Sequence, residues 1–145
     1  MKKEIKFRAW DTIYKNWFIT DAILIDASGS LWDLREKPIR RFNKDICKQI
    51  ILMQFTGLHD KNGKEIFEGD IVDTADGKRE VAWNQLHCEW ALFKDGGMDA
   101  DILADWINDD GKTPKQWENK SFEIIGNIYE SKHLLDNTDT KTQNY

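Results

Sequence analysis

The chain has 145 residues, enough for one domain with a sizeable core, and carries a formal charge of -5 with a pI of about 5.2. That balance argues against a protein that holds duplex DNA chiefly by neutralising phosphates, and leaves room only for a local basic patch. No apolar run approaches the roughly 18 residues of a membrane-spanning helix, and two cysteines, Cys47 and Cys88, are too few for a disulfide scaffold or a thiolate zinc site.

The opening residues MKKEIKFRAW contain no hydrophobic signal core, so the cytoplasm is the expected address. KFRAW alternates apolar and polar residues as a half-buried strand does, and NWFI resumes after the polar turn DTIYKN. AILI meets SLWDL across DASGS, where Gly29 supplies a permissive turn position, so two amino-terminal hairpins are expected. REKPIRRFNKD, charged and broken by Pro38, reads as a connecting loop. It holds the densest basic cluster in the chain, Arg35, Lys37, Arg40, Arg41 and Lys44, for which a solvated linker is a simpler account than a phosphate-binding patch.

ICKQIILMQF reads as a strand and leads into TGLHDKNGKEIFEGDIV, residues 56–72. Asn62-Gly63 is a hairpin-closing dipeptide, and Glu68-Gly69-Asp70 makes a second sharp turn in which Asp70 can accept nearby backbone donors. The even spacing of Gly57, Gly63 and Gly69 marks turns or tight backbone approaches around strands. REVAW and CEWALF are further strands, separated by NQLH. Met98, Ile102 and Trp106 then recur at i, i+4 and i+8, which predicts an amphipathic helix near 99–108. SFEIIGNIYE is apolar enough for a strand buried on both faces, with a bend or bulge at Gly126. SKHLL suits one helical turn, and 136–145 reads as a disordered tail. The expected fold is α+β and predominantly β. Residues 1–45 form amino-terminal hairpins and a loop, 46–135 an SH3-like barrel core of antiparallel strands, and one or two short helices complete a single domain over 1–135.

No constellation of reactive groups emerges. The carboxylates Asp99, Asp101, Asp105, Asp109 and Asp110 lack the calcium-loop pattern and suit a solvated helix face. Glu65, Glu68 and Asp70 are explained by exposure and turn-capping, His59, His87 and His133 are isolated, and no nucleophile elbow, P-loop or dinucleotide fingerprint occurs. A non-enzyme without metal or cofactor is therefore expected. The seven tryptophans are the outlier, because a small domain can bury only a few side chains of that size. Trp10, Trp17 and Trp32, with Arg40 and Arg41 and the nearby Lys3, Lys6 and Arg8, are the candidate residues for a subunit interface or for nucleic-acid contact.

Three segments taken together, KFRAWD, QFTGLHDKNGKEIFEGDIV and FEIIGNIYE, resemble the YopX family of small proteins from temperate phages and prophages of Gram-positive bacteria. The resemblance covers a little under a third of the chain and does not extend to about 74–120. It implies a phage-encoded protein made in the host cytoplasm, of unassigned function, mostly β, with self-association expected and a host or phage protein partner possible. It contributes no site residues. The leading expectation is a non-catalytic accessory protein acting through protein contacts as a homo-oligomer; the alternative is a nucleic-acid-binding barrel in phage replication or regulation.

Overall fold

The computed structural model describes residues 4–18, 22–94, 100–108, 110–111 and 121–136. Antiparallel strands dominate and helix is scarce. The chain divides into two compact units, Ile5–Gln54 and a larger one that takes Glu4 together with the residues from Phe55 onward.

In the first unit, β1 (Phe7–Asp11) pairs with β2 (Asn16–Trp17) and with the first half of β6 (Ile50–His59). A three-stranded sheet runs β3 (Ile23–Ile25), β4 (Leu31–Asp33), β5 (Arg40–Arg41). Ala9, Leu31 and Ile50 are its buried centre, with Phe18, Ile25, Phe42, Ile46 and Leu52 packed around them. The sequence reading placed a strand from residue 46 and a loop over the preceding basic segment, and both are corrected. Lys44–Gln49 is a helix, α1, and β5 lies within the supposed loop. The cause is local: Asn43 caps the helix by accepting the Ile46 amide at 2.8 Å, and this outweighs the strand propensity of a run that becomes extended only at Ile50.

In the second unit, the latter half of β6 pairs with β7 (Glu65–Phe67). A five-stranded sheet follows in the order β11 (Ala100–Ile102), β10 (Glu89–Phe93), β9 (Gly77–Asn84), β8 (Asp70–Thr74), β12 (Phe122–Asn127). The expected barrel-like core takes the form of this curled, half-barrel sheet. β8 is flanked by β9 and β12 and covered on both faces, which is why the adjacent pair Ile71 and Val72 can both be fully buried. Cross-strand partners share a face, so Val81 opposite Leu92 and Trp83 opposite Trp90 line one side of the sheet. Leu103, Trp106 and Ile107 join Val72, Val81, Leu92 and Phe122 in the core.

The helix expected near 99–108 is corrected to edge strand β11 followed by a single 3-10 turn, Leu103–Trp106. Met98 and Asp99, part of that expectation, lie outside the described residues. The i, i+3, i+4 apolar spacing of Leu103, Trp106 and Ile107 is real and buries those side chains. One turn is enough to do so, because the backbone of Ala100–Ile102 finds its partners on β10 instead. β12 forms an edge and is only half-buried between Phe122 and Asn127, not covered on both faces. Its register shifts between Ile124 and Gly126, as a bulge does, and a 3-10 turn at Lys132–Leu134 follows. Residues 137–145, most of the expected disordered tail, lie outside the described residues, as do Lys3, Asp109 and Trp117.

Candidate functional site

Residues 56–72 fold as two turns holding β6, β7 and β8. Gly57, Gly63 and Gly69 have φ of 86°, 78° and 81°. A Cβ added at Gly57 or Gly63 would meet nothing within 4 Å, so the glycine is required there by backbone conformation and not by space. Asp60, 2% exposed, accepts the amides of Asn62 and Lys64 on Oδ1 and that of Ile124 on Oδ2, at 2.9, 2.9 and 3.0 Å. One carboxylate thus closes the β6–β7 hairpin and fastens it to β12. Asp70, also buried, accepts the Phe67 amide at 2.8 Å. In the other unit, buried Asp11 accepts the amides of Ile13 and Tyr14 and the side chain of Gln49. Burial pushes the Asp11 carboxyl upward, but these donors outweigh it and hold it below the usual carboxylate range. Carboxylates committed to backbone amides in this way lock turns and are poorly placed to move protons.

The remaining carboxylates do not converge. Glu65 and Glu68 are half-buried, not exposed as the sequence suggested, and Asp101, Asp105 and Asp110 are exposed. Among the described residues, no group of three or more His, Cys, Asp or Glu is gathered where it could hold a metal.

The candidate aromatic and basic residues fall into pairs. Trp10 is buried and meets the half-buried Trp17 edge-on at 4.9 Å, with the Arg8 guanidinium 4.8 Å above the Trp17 ring. Trp32 donates its indole N–H to Asp26 at 2.8 Å and stands opposite Arg41 across β4 and β5, with Arg40 opposite Asp33. Both arginines are exposed. Two concavities open in this unit. One, of about 470 Å³, is walled by Tyr14, Trp17, Phe18 and Phe42 with Asp11 and Asp33. The other, of about 670 Å³, is a groove lined by Ser28, Ser30, Arg41, Phe42, Lys44, Cys47 and Lys48, among others. In the larger unit, Trp83 is 42% exposed, packs edge-on to Trp90 at 5.2 Å, and is followed by Leu86 at 91% exposure.

The YopX family model, described as "YopX protein", matches residues 6–136. The chain belongs to the YopX family. Two solved structures share the fold: protein EF1440 from Enterococcus faecalis, at 24% identity and a TM-score of 0.56, and protein yopX from Bacillus subtilis, at 19% and 0.53. The first similarity covers 93% of this chain and 100% of the other; the second covers 90% and 97%. No curated protein matches the chain.

In this YopX-family chain the segments that carry the family resemblance are occupied by the turn-locking carboxylates Asp11, Asp60 and Asp70. Sequence reasoning found Asp70 and passed over Asp60, although an aspartate two residues before Asn-Gly is itself a turn signal. It also passed over Ser28, Ser30, Cys47 and Lys48 of the larger groove. The signal for that groove was Asn43 as a helix cap, which puts Lys44, Cys47 and Lys48 on one helical face. No helix among the described residues is long and apolar enough to cross a membrane.

Proposed function

We propose that this YopX-family chain is a non-catalytic accessory protein of a temperate phage or prophage, working in the host cytoplasm through protein contacts and as a symmetric homo-oligomer. The observation that carries the reading is the β9–β10 hairpin. Val81 and Leu92 are covered, but the same sheet face continues into Trp83 and Trp90, and the hairpin tip leaves Leu86 91% exposed. A large aromatic beside an exposed leucine at the end of a sheet is interface chemistry, and β11, an edge strand among the described residues, adds backbone groups that a second chain can pair. The amino-terminal hairpin keeps a share through exposed Ile13 and Tyr14 at its tip, while buried Trp10 belongs to the fold. Turn-locking carboxylates support the non-catalytic part of the reading.

A dimer is the commonest closed assembly. Light scattering on a size-exclusion column, at tens of micromolar protein, is expected to report more than one chain per particle. The double substitution Trp83→Ser, Leu86→Ser is expected to return it to the 17.0 kDa monomer. A monomeric parent chain would overturn the oligomer.

A nucleic-acid-binding role has its own support in exposed Arg40 and Arg41 beside Trp32 on edge strand β5. It predicts single-strand binding that weakens with salt, and a loss of about 1–3 kcal/mol per stacked base from Trp32→Ala. Unchanged fluorescence anisotropy of a labelled strand in low salt would remove it.

A further inference from the structure

The larger groove sets three cations against two hydroxyls. Lys44, Cys47 and Lys48 face it from α1, Arg41 from β5, and Ser28, Gly29 and Ser30 from the β3–β4 turn, with Phe42 and Asn43 completing the wall. No carboxylate among the described residues lines it, in a chain whose net charge is -5. Lys44 sits in the first turn, where positive charge is unfavourable, and Lys48, which suits the last turn, stands four residues on as a like charge beside it. The nearest relief is Asp45, 3.7 Å from Lys48 with both side chains highly exposed, a contact that contributes little.

The opposite wall is fixed. Asp26 accepts the amides of Ser28 and Ser30 and the Ser28 hydroxyl, and its second oxygen takes the Trp32 indole N–H. Its negative charge is thereby spread over four donors that hold the turn. The Ser28 and Ser30 hydroxyls lie 2.9 Å apart, and Ser30 Oγ accepts from Arg41 Nη2 at 2.7 Å. Arg41 is oriented by that bond and retains further N–H donors for a bidentate contact.

We propose that this groove is a binding site for a small phosphorylated molecule of nucleotide size. Arg41, Lys44 and Lys48 would hold the phosphoryl oxygens, with Arg41 oriented by its bond to the Ser30 hydroxyl, and the Phe42 ring would give an apolar surface to the rest of the ligand. Its volume of about 670 Å³ falls in the range of small-molecule sites, in the form of an open groove and not an enclosed cavity. The site is independent of the oligomer proposed above, and it calls for a discrete ligand where the nucleic-acid reading calls for a polymer.

The test is calorimetric titration of the full chain with AMP, with pyrophosphate and with a single-stranded oligonucleotide, each at low and high salt. AMP or pyrophosphate is expected to bind with an affinity that weakens as salt rises. Arg41→Gln, Lys44→Gln, Lys48→Gln together are expected to weaken it tenfold or more, with the fold intact because these side chains are exposed, whereas Lys132→Gln leaves it unchanged. Cys47 provides a readout of position. In a Cys88→Ser background, saturating ligand is expected to slow alkylation of the half-buried Cys47 thiol severalfold. Absence of binding at millimolar AMP and pyrophosphate would overturn the proposal, as would equal affinity in the triple variant or an unprotected Cys47. So would an oligonucleotide that uses these residues while neither small ligand binds.

Discussion

Replacing Asp60 by alanine leaves the amides of Asn62, Lys64 and Ile124 without their acceptor at a site only 2% exposed. Hydrogen bonds to a charged group are each worth about 1.5–3 kcal/mol, and three are lost together, so Asp60→Ala is expected to cost about 3 kcal/mol or more in urea unfolding. A loss below about 1 kcal/mol would mean that water replaces the carboxylate without penalty. Gly63 calls for a different argument. At φ 78° with open space around it, a β-branched side chain is penalised by backbone conformation alone, and Gly63→Val is expected to cost about 1–2 kcal/mol. The Asn62-Gly63 turn was legible because its chemistry is local. The bond from Asp60 to Ile124 was not, because its partner lies 64 positions along the chain. The groove was partly legible for the same reason: the basic cluster is visible as composition, but its wall of Ser28 and Ser30 depends on strand pairing.

Among the elements, β12 carries the sharpest spatial constraint. An added Cβ at Gly126 would stand 2.7 Å from both Cβ and Oγ of Ser131 and 3.2 Å from Leu134 Cδ1, closer than side chains pack. Ser131 is held by the hydrogen bond its backbone N–H donates to the Asn127 carbonyl at 2.8 Å and cannot withdraw freely. Gly126→Ala is therefore expected to destabilise by about 1–3 kcal/mol through overpacking, measured by thermal or urea unfolding. A neutral result would place slack in the turn that follows β12. The bulge was readable from a glycine inside a strand pattern, though the close neighbour was not. Element type was least readable where two periods compete. At 44–49 a single capping side chain, Asn43, turned a strand-like run into helix. At 100–106 an available sheet edge took residues whose apolar spacing suits a helix, a tertiary choice that no local window contains.

For the whole chain, the charged groups with displaced titrations point the same way. The Arg35 side chain, donating from Nε at 2.9 Å and Nη2 at 2.7 Å, holds the Asp33 carboxyl below its ordinary value. The Ser28 hydroxyl, then the Trp32 indole, lowers Asp26 well below the carboxylate range. Lys61, bonded at 2.6 Å, lowers Glu123. A carboxylate whose folded pKa lies below its unfolded value contributes stability that is fully present above the unfolded range of about 4, and that is lost as pH falls toward the folded value. The folded chain should therefore be insensitive to these groups between about pH 5 and 8, and should weaken progressively below about pH 4. The effect of Asp26 and Glu123 is reduced by solvent and salt, since their pairs are exposed or part-exposed, so added salt should soften the acid limb. Asp33 is the clearest member of the set, with its side chain 12% exposed against Arg35 at 57%. Asp33→Asn is expected to lower stability at pH 7, because the amide accepts the Arg35 fork poorly, and to lose less than the parent chain between pH 7 and 3. Urea unfolding at pH 7, 5, 4 and 3 reads both slopes. Stability that rises on acidification, or an Asp33→Asn chain that falls as steeply as the parent, would show that the acid limb is set by groups other than these carboxylates.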